Sequence, residues 1–239
     1  DADDIMNPDY TLQCIRTYTS NPSVEMIFCD IKTLCNSTDP IKRESPHPYG
    51  NLGFGIFRTF YLKEYLGHST SCISIRQDTL AKILPLNLEN IRKIRADDCI
   101  IYGAALVGAN IYHLNFCGIK YRIHGLNNHY GKKFDLRYFF QRECHIEQLF
   151  NIILTKNHII LSSTMLYLEF LSNGNRLKYA KITLLTHFVW IKKILLLIKN
   201  YLNLKTIVFQ NINSMQTDSY ITTIDIIQHN FSFLEIIVR

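Results

Sequence analysis

Three groups of residues in this chain have the types and spacing that site chemistry needs. The first is the acidic opening, Asp1-Ala2-Asp3-Asp4. Carboxylates two apart on an extended segment point the same way. Asp1 and Asp3, with Asp4 beside them, can therefore share one hard cation such as Mg²⁺ or Mn²⁺. That ion can in turn hold the diphosphate of a nucleotide. The same residues equally suit a solvated turn. The second group is Asp97-Asp98 at the start of an apolar segment. Acids there complement a helix dipole. They can also aim a carboxylate into a cleft as a general base, with mutual repulsion raising their proton affinity. The third is Tyr-Arg-Ile-His-Gly-Leu-Asn-Asn, residues 121–128. His124 precedes a glycine turn, where it is either a satisfied core histidine or a metal ligand.

These groups need elements to position them. Asn7, Pro8 and the Asn21-Pro22 stop predict a helix over 7–22. The apolar run Met26-Ile27-Phe28 predicts a buried strand within 23–34. Residues 36–55, rich in Pro and Gly, read as a long loop. A helix over 57–67, a strand over 69–76 and a short helix over 77–84 capped by Asp78 follow. The stretch 95–114 reads as one helix, with Gly103, Ala104, Ala105, Gly108 and Ala109 permitting close packing along one side. Residues 119–125 read as a strand and 126–133 as a polar loop; from Asp135 the chain is largely helical, including one segment over 178–202. The alternation up to residue 134 is an α/β pattern. It predicts one α/β part, 1–134, and a helical appendage, 135–239.

Composition narrows the function classes. The net charge of +6 is spread along the chain, with no aromatic and basic interleaving typical of RNA or DNA modules, so no nucleic-acid partner is expected. The seven cysteines form no C-x-x-C pair, which excludes a zinc framework and leaves no disulfide scaffold. Such usage fits a reducing, cytoplasmic setting. The longest apolar stretch, 182–198, is broken by Lys192 and Lys193 and is too short to span a bilayer before that break. Its flanking lysines suit either a helix packed on its own domain or an interfacial helix over 178–200 at the inner face of a membrane.

The order of the segments adds more than any one of them. Acidic triplet, helix, strand, long loop, HSTSCISIR, RADDC helix and YRIHGLNN resembles the second half of a family 2 glycosyltransferase over roughly residues 1–131. DADDIMNPDY looks like that family's metal-binding D-x-D segment. The resemblance implies a partial GT-A fold, Rossmann-like, lacking its N-terminal nucleotide-binding strands and followed by a mostly α-helical region. It implies Asp3 as main metal ligand, with Asp1, Asp4 and His124 contributing. Asp1, Asp3 and Arg122 would face the nucleotide, and Asp98, with Asp97 beside it, would deprotonate the acceptor hydroxyl. The cofactor would be Mn²⁺ or Mg²⁺ and the donor a nucleotide sugar such as a UDP-sugar. The acceptor would be a saccharide or lipid-linked glycan in cell-surface polysaccharide biosynthesis. The chain departs from the family in reading Asp-Asp where Glu-Asp is common. It also lacks the Q-x-x-R-W signature of processive members, and Gln-Arg-Glu-Cys-His at 141–145 is no match. Transfer of one or a few sugars is therefore expected. The competing expectation is a non-catalytic binding or scaffold module derived from such a fold. A phosphohydrolase would need a second metal cluster, which the sequence does not offer.

Overall fold

A computed structural model of the chain describes residues 4–34, 42–43, 45–86, 94–123, 133–188 and 193–198. The described elements below belong to one compact unit, Asp1–Leu197. They form a mixed α/β structure, in chain order β1 (Ile5–Met6), α1 (Tyr10–Ser20), β2 (Met26–Leu34), β3 (Lys42–Arg43), β4 (Gly50–Gly53), α2 (Ile56–Leu62), a 3-10 turn (Thr70–Cys72), β5 (Ile73–Ile75), α3 (Gln77–Ile83), α4 (Ala96–Leu106), β6 (Ile111–Arg122), α5 (Leu136–Lys156), α6 (Ser163–Asn173) and α7 (Arg176–Leu185).

Two long parallel strands, β2 and β6, run through the middle of the sheet. Each is flanked by short antiparallel pieces: β5 and β3 along β2, and β4 and β1 along β6. Parallel strands joined by a crossover are covered on both faces and read as continuous apolar runs. Met26, Ile27, Phe28 and Cys29 are all fully enclosed. Ile27, Cys29 and Ile31 pack with Tyr10 and Cys14 of α1, while Met26 and Phe28 pack with Ile83, Ala104 and Ala105. Gly103 lets α4 lie close to α3, since a Cβ there would sit 2.7 Å from Ile83 Cγ2.

The expected helix over 95–114 is corrected. α4 stops at Leu106, Gly108 takes a left-handed φ of 78°, and residues from Ile111 onward are sheet. Residues 119–122 of the strand expected at 119–125 are the tail of β6, which is twelve residues long, and 124–125 lie outside the described residues. Alternation along β6 is broken by register shifts opposite Cys29, Asp30 and Ile31, where extra β6 residues bulge out. The bulge leaves Asp30 enclosed beside His113. Asp30 Oδ1 faces His113 Nε2 at 3.1 Å and accepts from Ser45 N at 3.1 Å, while Oδ2 accepts from Tyr49 Oη at 2.7 Å. Burial opposes the charge on Asp30, but the Tyr49, Ser45 and His113 bonds hold its carboxyl below the usual range. The stretch read as a loop thus carries β3 and β4 and is tied down at its centre.

Helix α1 starts at Tyr10, two residues beyond Pro8; Asn7 bonds the Asp9 amide through Oδ1 at 3.1 Å and the Tyr10 amide through its carbonyl at 3.0 Å. The helix expected over 57–67 spans Ile56–Leu62 and ends on left-handed Lys63. Helix α3 begins after Arg76, with Asp78 in its first turn rather than at its cap. The segment expected as one helix over 178–202 is broken, because α7 ends at Leu185 on extended Thr186 and helical residues resume at 193–198.

The helices after residue 134 are bound to the α/β layer. α5 opens on Asp135, which accepts from the Tyr138 amide at 2.8 Å. It buries Ile146, Leu149, Phe150 and Ile153 against Cys99, Tyr102 and Leu106 of α4. Lys156 Nζ donates to Ile83 O and Pro85 O, each at 3.1 Å. Glu169 of α6 reaches the start of α2, accepting from Phe57 N at 2.7 Å, Arg58 N at 3.0 Å and Tyr179 Oη at 2.9 Å. Helix α2 has no side-chain cap of its own, and Glu169 satisfies its first amides from more than a hundred residues away. Glu169→Ala leaves these buried amides unpaired, and we expect it to cost about 2–3 kcal/mol of stability. Urea unfolding of wild type and variant, by circular dichroism and by fluorescence, measures this. A change confined to the later helices would show that they unfold separately.

Candidate functional site

The acidic pair sits where helix geometry predicts. Asp97 and Asp98 occupy the first turn of α4, behind Arg95 in extended conformation. Both are nonetheless inside, at 5% and 3% exposure. Each is held by an arginine. Arg95 grips Asp97 in a fork, with Nε to Oδ1 at 2.9 Å and Nη2 on Oδ2. Arg142, on α5, places Nη2 between the two oxygens of Asp98, at 2.9 and 3.1 Å. Asp97 Oδ1 also accepts the Asp98 amide at 3.1 Å, which fixes the turn.

Burial pushes the Asp98 carboxyl above its ordinary range; Arg142 and Arg95 pull it back and Asp97 adds repulsion. The neighbouring acid is thus a minor cause beside desolvation. Tyr65 buries its hydroxyl beside the pair without a hydrogen bond of normal geometry, and burial followed by the charges of Asp97 and Asp98 keeps it protonated. A cleft of about 170 Å³ opens over Asp98, lined by Ile94, Arg95, Tyr138, Gln141, Arg142, His145 and Ile146. A larger apolar cavity of about 850 Å³ shares Ile94 with it and is lined mainly by Leu80, Leu84, Pro85, Ile94 and Cys99.

The acidic opening and the 121–128 segment are only partly described. Asp4 precedes β1, which pairs with the end of β6 through Ile5–Lys120 and Met6–Ile119. Its Oδ2 accepts from Ser71 Oγ at 2.5 Å and its Oδ1 from the Arg122 amide at 3.3 Å. Asp4 and Arg122 are thus brought together, through the Arg122 backbone, with the Arg122 side chain exposed. Asp1, Asp3 and His124 lie outside the described residues. Among the described residues no group of three His, Cys, Asp or Glu could hold a metal ion. Asp4 alone, with both oxygens already bonded, does not amount to a metal site.

One loop touches both groups. Between α2 and β5, Tyr65 lies against the acidic pair, Gly67 packs on Ile101 of α4, and Ser71 bonds Asp4. Sequence reasoning did not single out Tyr65, Arg95, Arg142 or Ser71. Arg95 was the readable one, because it directly precedes the pair; Arg142 is 44 residues from Asp98 and carries no local signal. No described helix is long and apolar enough to cross a membrane. The described cysteines are free, with Cys14, Cys29, Cys72 and Cys99 buried. No protein-family model matches the chain, and no curated protein sequence does.

The raised carboxyl of Asp98 has a measurable consequence. Its folded form takes a proton more readily than its unfolded form, so its contribution favours folding at acid pH. That contribution is lost as pH rises through the folded value. The Tm of Asp98→Asn minus that of wild type is therefore expected to rise as pH climbs from the ordinary carboxylate range to pH 7–8, on top of a pH-independent offset from the lost Arg142 bond. Thermal melts of both proteins across that range check this.

Proposed function

We propose that this chain is part of the catalytic domain of a glycosyltransferase, which moves a sugar from a nucleotide-sugar donor to a saccharide or lipid-linked acceptor. The single observation that carries the reading is the 63–72 loop. It bonds a carboxylate at the sheet end, Asp4, through Ser71, and sets Tyr65 beside a buried acid of raised proton affinity at the edge of a cleft, Asp98. A transferase of this class needs two separate acidic functions, one toward the donor diphosphate and one toward the acceptor hydroxyl.

In the proposed reaction Asp98 accepts the proton of the acceptor hydroxyl as that oxygen attacks the anomeric carbon. The bond to the nucleoside diphosphate breaks on the opposite face, so the anomeric centre inverts. Arg142 keeps the Asp98 carboxylate aimed at the cleft, and Asp97 stiffens the turn that carries it. A divalent cation, Mn²⁺ or Mg²⁺, belongs to this reading through Asp1, Asp3, Asp4 and His124, and would neutralise the departing diphosphate. A UDP-sugar donor, a place in polysaccharide biosynthesis and a cytoplasmic location at the inner face of a membrane complete the proposal.

One observation favours a second reading. Asp97 and Asp98 both already hold an arginine, as the acids of a purely structural ion-pair cluster would. The alternative is a non-catalytic binding module with the same fold. Protein expressed from the complete coding sequence, with Mn²⁺ and a panel of nucleotide sugars, separates the two. Release of nucleoside diphosphate is expected for at least one donor, and Asp98→Asn should lower it by about 10²- to 10⁴-fold. Release unchanged in Asp98→Asn would remove Asp98 from the mechanism. No release with any donor would favour the binding module.

A further inference from the structure

Helix α5 contributes the arginine that closes on the acid. Arg142 reaches from the second turn of α5 to α4, and its Nη2 is shared between Asp98 Oδ1 and Oδ2. The Arg142 side chain is half-buried while Asp98 is almost wholly enclosed, so the carboxylate end of the pair is the one shielded from water. The α4–α5 seam beneath it is well packed, with Tyr102 meeting Phe150 edge-on at 5.3 Å. The cation is thus fixed by two helices and has little freedom to leave. It also lines the same cleft as Asp98, alongside Gln141 and His145.

We propose that Arg142 is a positioning residue that holds Asp98 ionised and oriented toward the cleft, so that α5 completes the site from outside the α/β part. This rests on the transferase reading for its role in a reaction, but the pairing itself can be tested without one. Other groups face Asp98 from every packed element. Asp97 and Arg95 stand beside it in the chain, Cys99 and Tyr102 follow on α4, Tyr65 approaches from the 63–72 loop, and on α5 His145 lines the same cleft while Glu143 acts on Tyr102. Arg95 is already committed in a fork to Asp97, whereas Arg142 bonds Asp98 directly. Removing Arg142 therefore leaves Asp98 buried, next to a like charge, with its nearest cation engaged elsewhere. A buried acid in that state holds its proton to higher pH.

The test uses the full chain and four backgrounds: wild type, Arg142→Ala, Arg142→Gln and Arg142→Lys, each with and without Asp98→Asn. The difference in Tm between each protein and its Asp98→Asn partner, followed against pH, gives the titration midpoint of Asp98. Arg142→Ala and Arg142→Gln should move that midpoint up by about one pH unit or more, and Arg142→Lys should bring it back toward wild type. If Arg142→Ala does not fold, Arg142→Gln, neutral, polar and shorter than arginine, carries the comparison. An unmoved midpoint in the folded neutral variants would overturn the proposal, because it would show that Arg142 does not set the charge state of Asp98. In proteins that release nucleoside diphosphate, the acid limb of kcat/KM should move in the same direction. Absence of release from wild type is a failure of the transferase reading alone and leaves the titration result standing.

Discussion

The pairing of β2 with β6 is the constraint on which the rest of this structure depends. Two parallel neighbours cannot be joined by a tight turn; the chain must leave the sheet, cross over and return. Here the return carries β3, β4, α2, the 63–72 loop, β5, α3 and α4 before β6 enters. Each candidate group lies on that crossover or at the ends of these strands. The enclosure of Met26 through Cys29 supplies the driving force, since burying such side chains contributes on the order of 1.5–3 kcal/mol each. The bulge at Asp30 is the cost of keeping this register, and a charged network fills it.

Elements with local signals were legible in the sequence. Met26-Ile27-Phe28 announced a buried strand, and the two acids marked the first turn of α4. Strand β6 was not legible over its first eight residues. Its bulged residues destroy the two-residue alternation, and its leading Ile-Tyr-His-Leu follows the apolar run of α4 after only four residues. The signal that separates the two is Gly108, whose left-handed turn is the usual mark of a helix end. At the site, Asp97 and Asp98 were readable as a pair because dipole and spacing are local properties. Their enclosure and their arginines were not. A helical face shows that Ile146, Leu149 and Phe150 seek a partner, but periodicity does not say that α4 is that partner. The expected boundary at residue 134 was drawn from that same gap, and the described contacts of α5, α6 and α7 run across it.

Four formal charges meet at the start of α4, two acids and two arginines. Such a cluster is a costly way to hold a helix end, because desolvating ions consumes much of what their attraction returns. Apolar residues of similar volume would pack there more cheaply. Retention of a raised carboxyl beside an open cleft suits a group whose proton is exchanged. The Asp30–His113 pair is different, since it is fully enclosed and pins the chain between β3 and β4. The same chemical types therefore occur in two settings, separated by access rather than by identity.

The cap that Glu169 places on α2 has a bearing on how the molecule is made. A ribosome delivers α2 long before α6, and through that interval the amides of Phe57 and Arg58 have no carboxylate to meet. A seven-residue helix without its cap is marginal in water. The crossover that must stand before β6 can settle beside β2 is thus completed only when residues beyond 160 have emerged. Folding of this chain is in that sense a late and collective event, governed by contacts of long sequence separation, and nascent chains that end earlier would present an unfinished sheet to their surroundings.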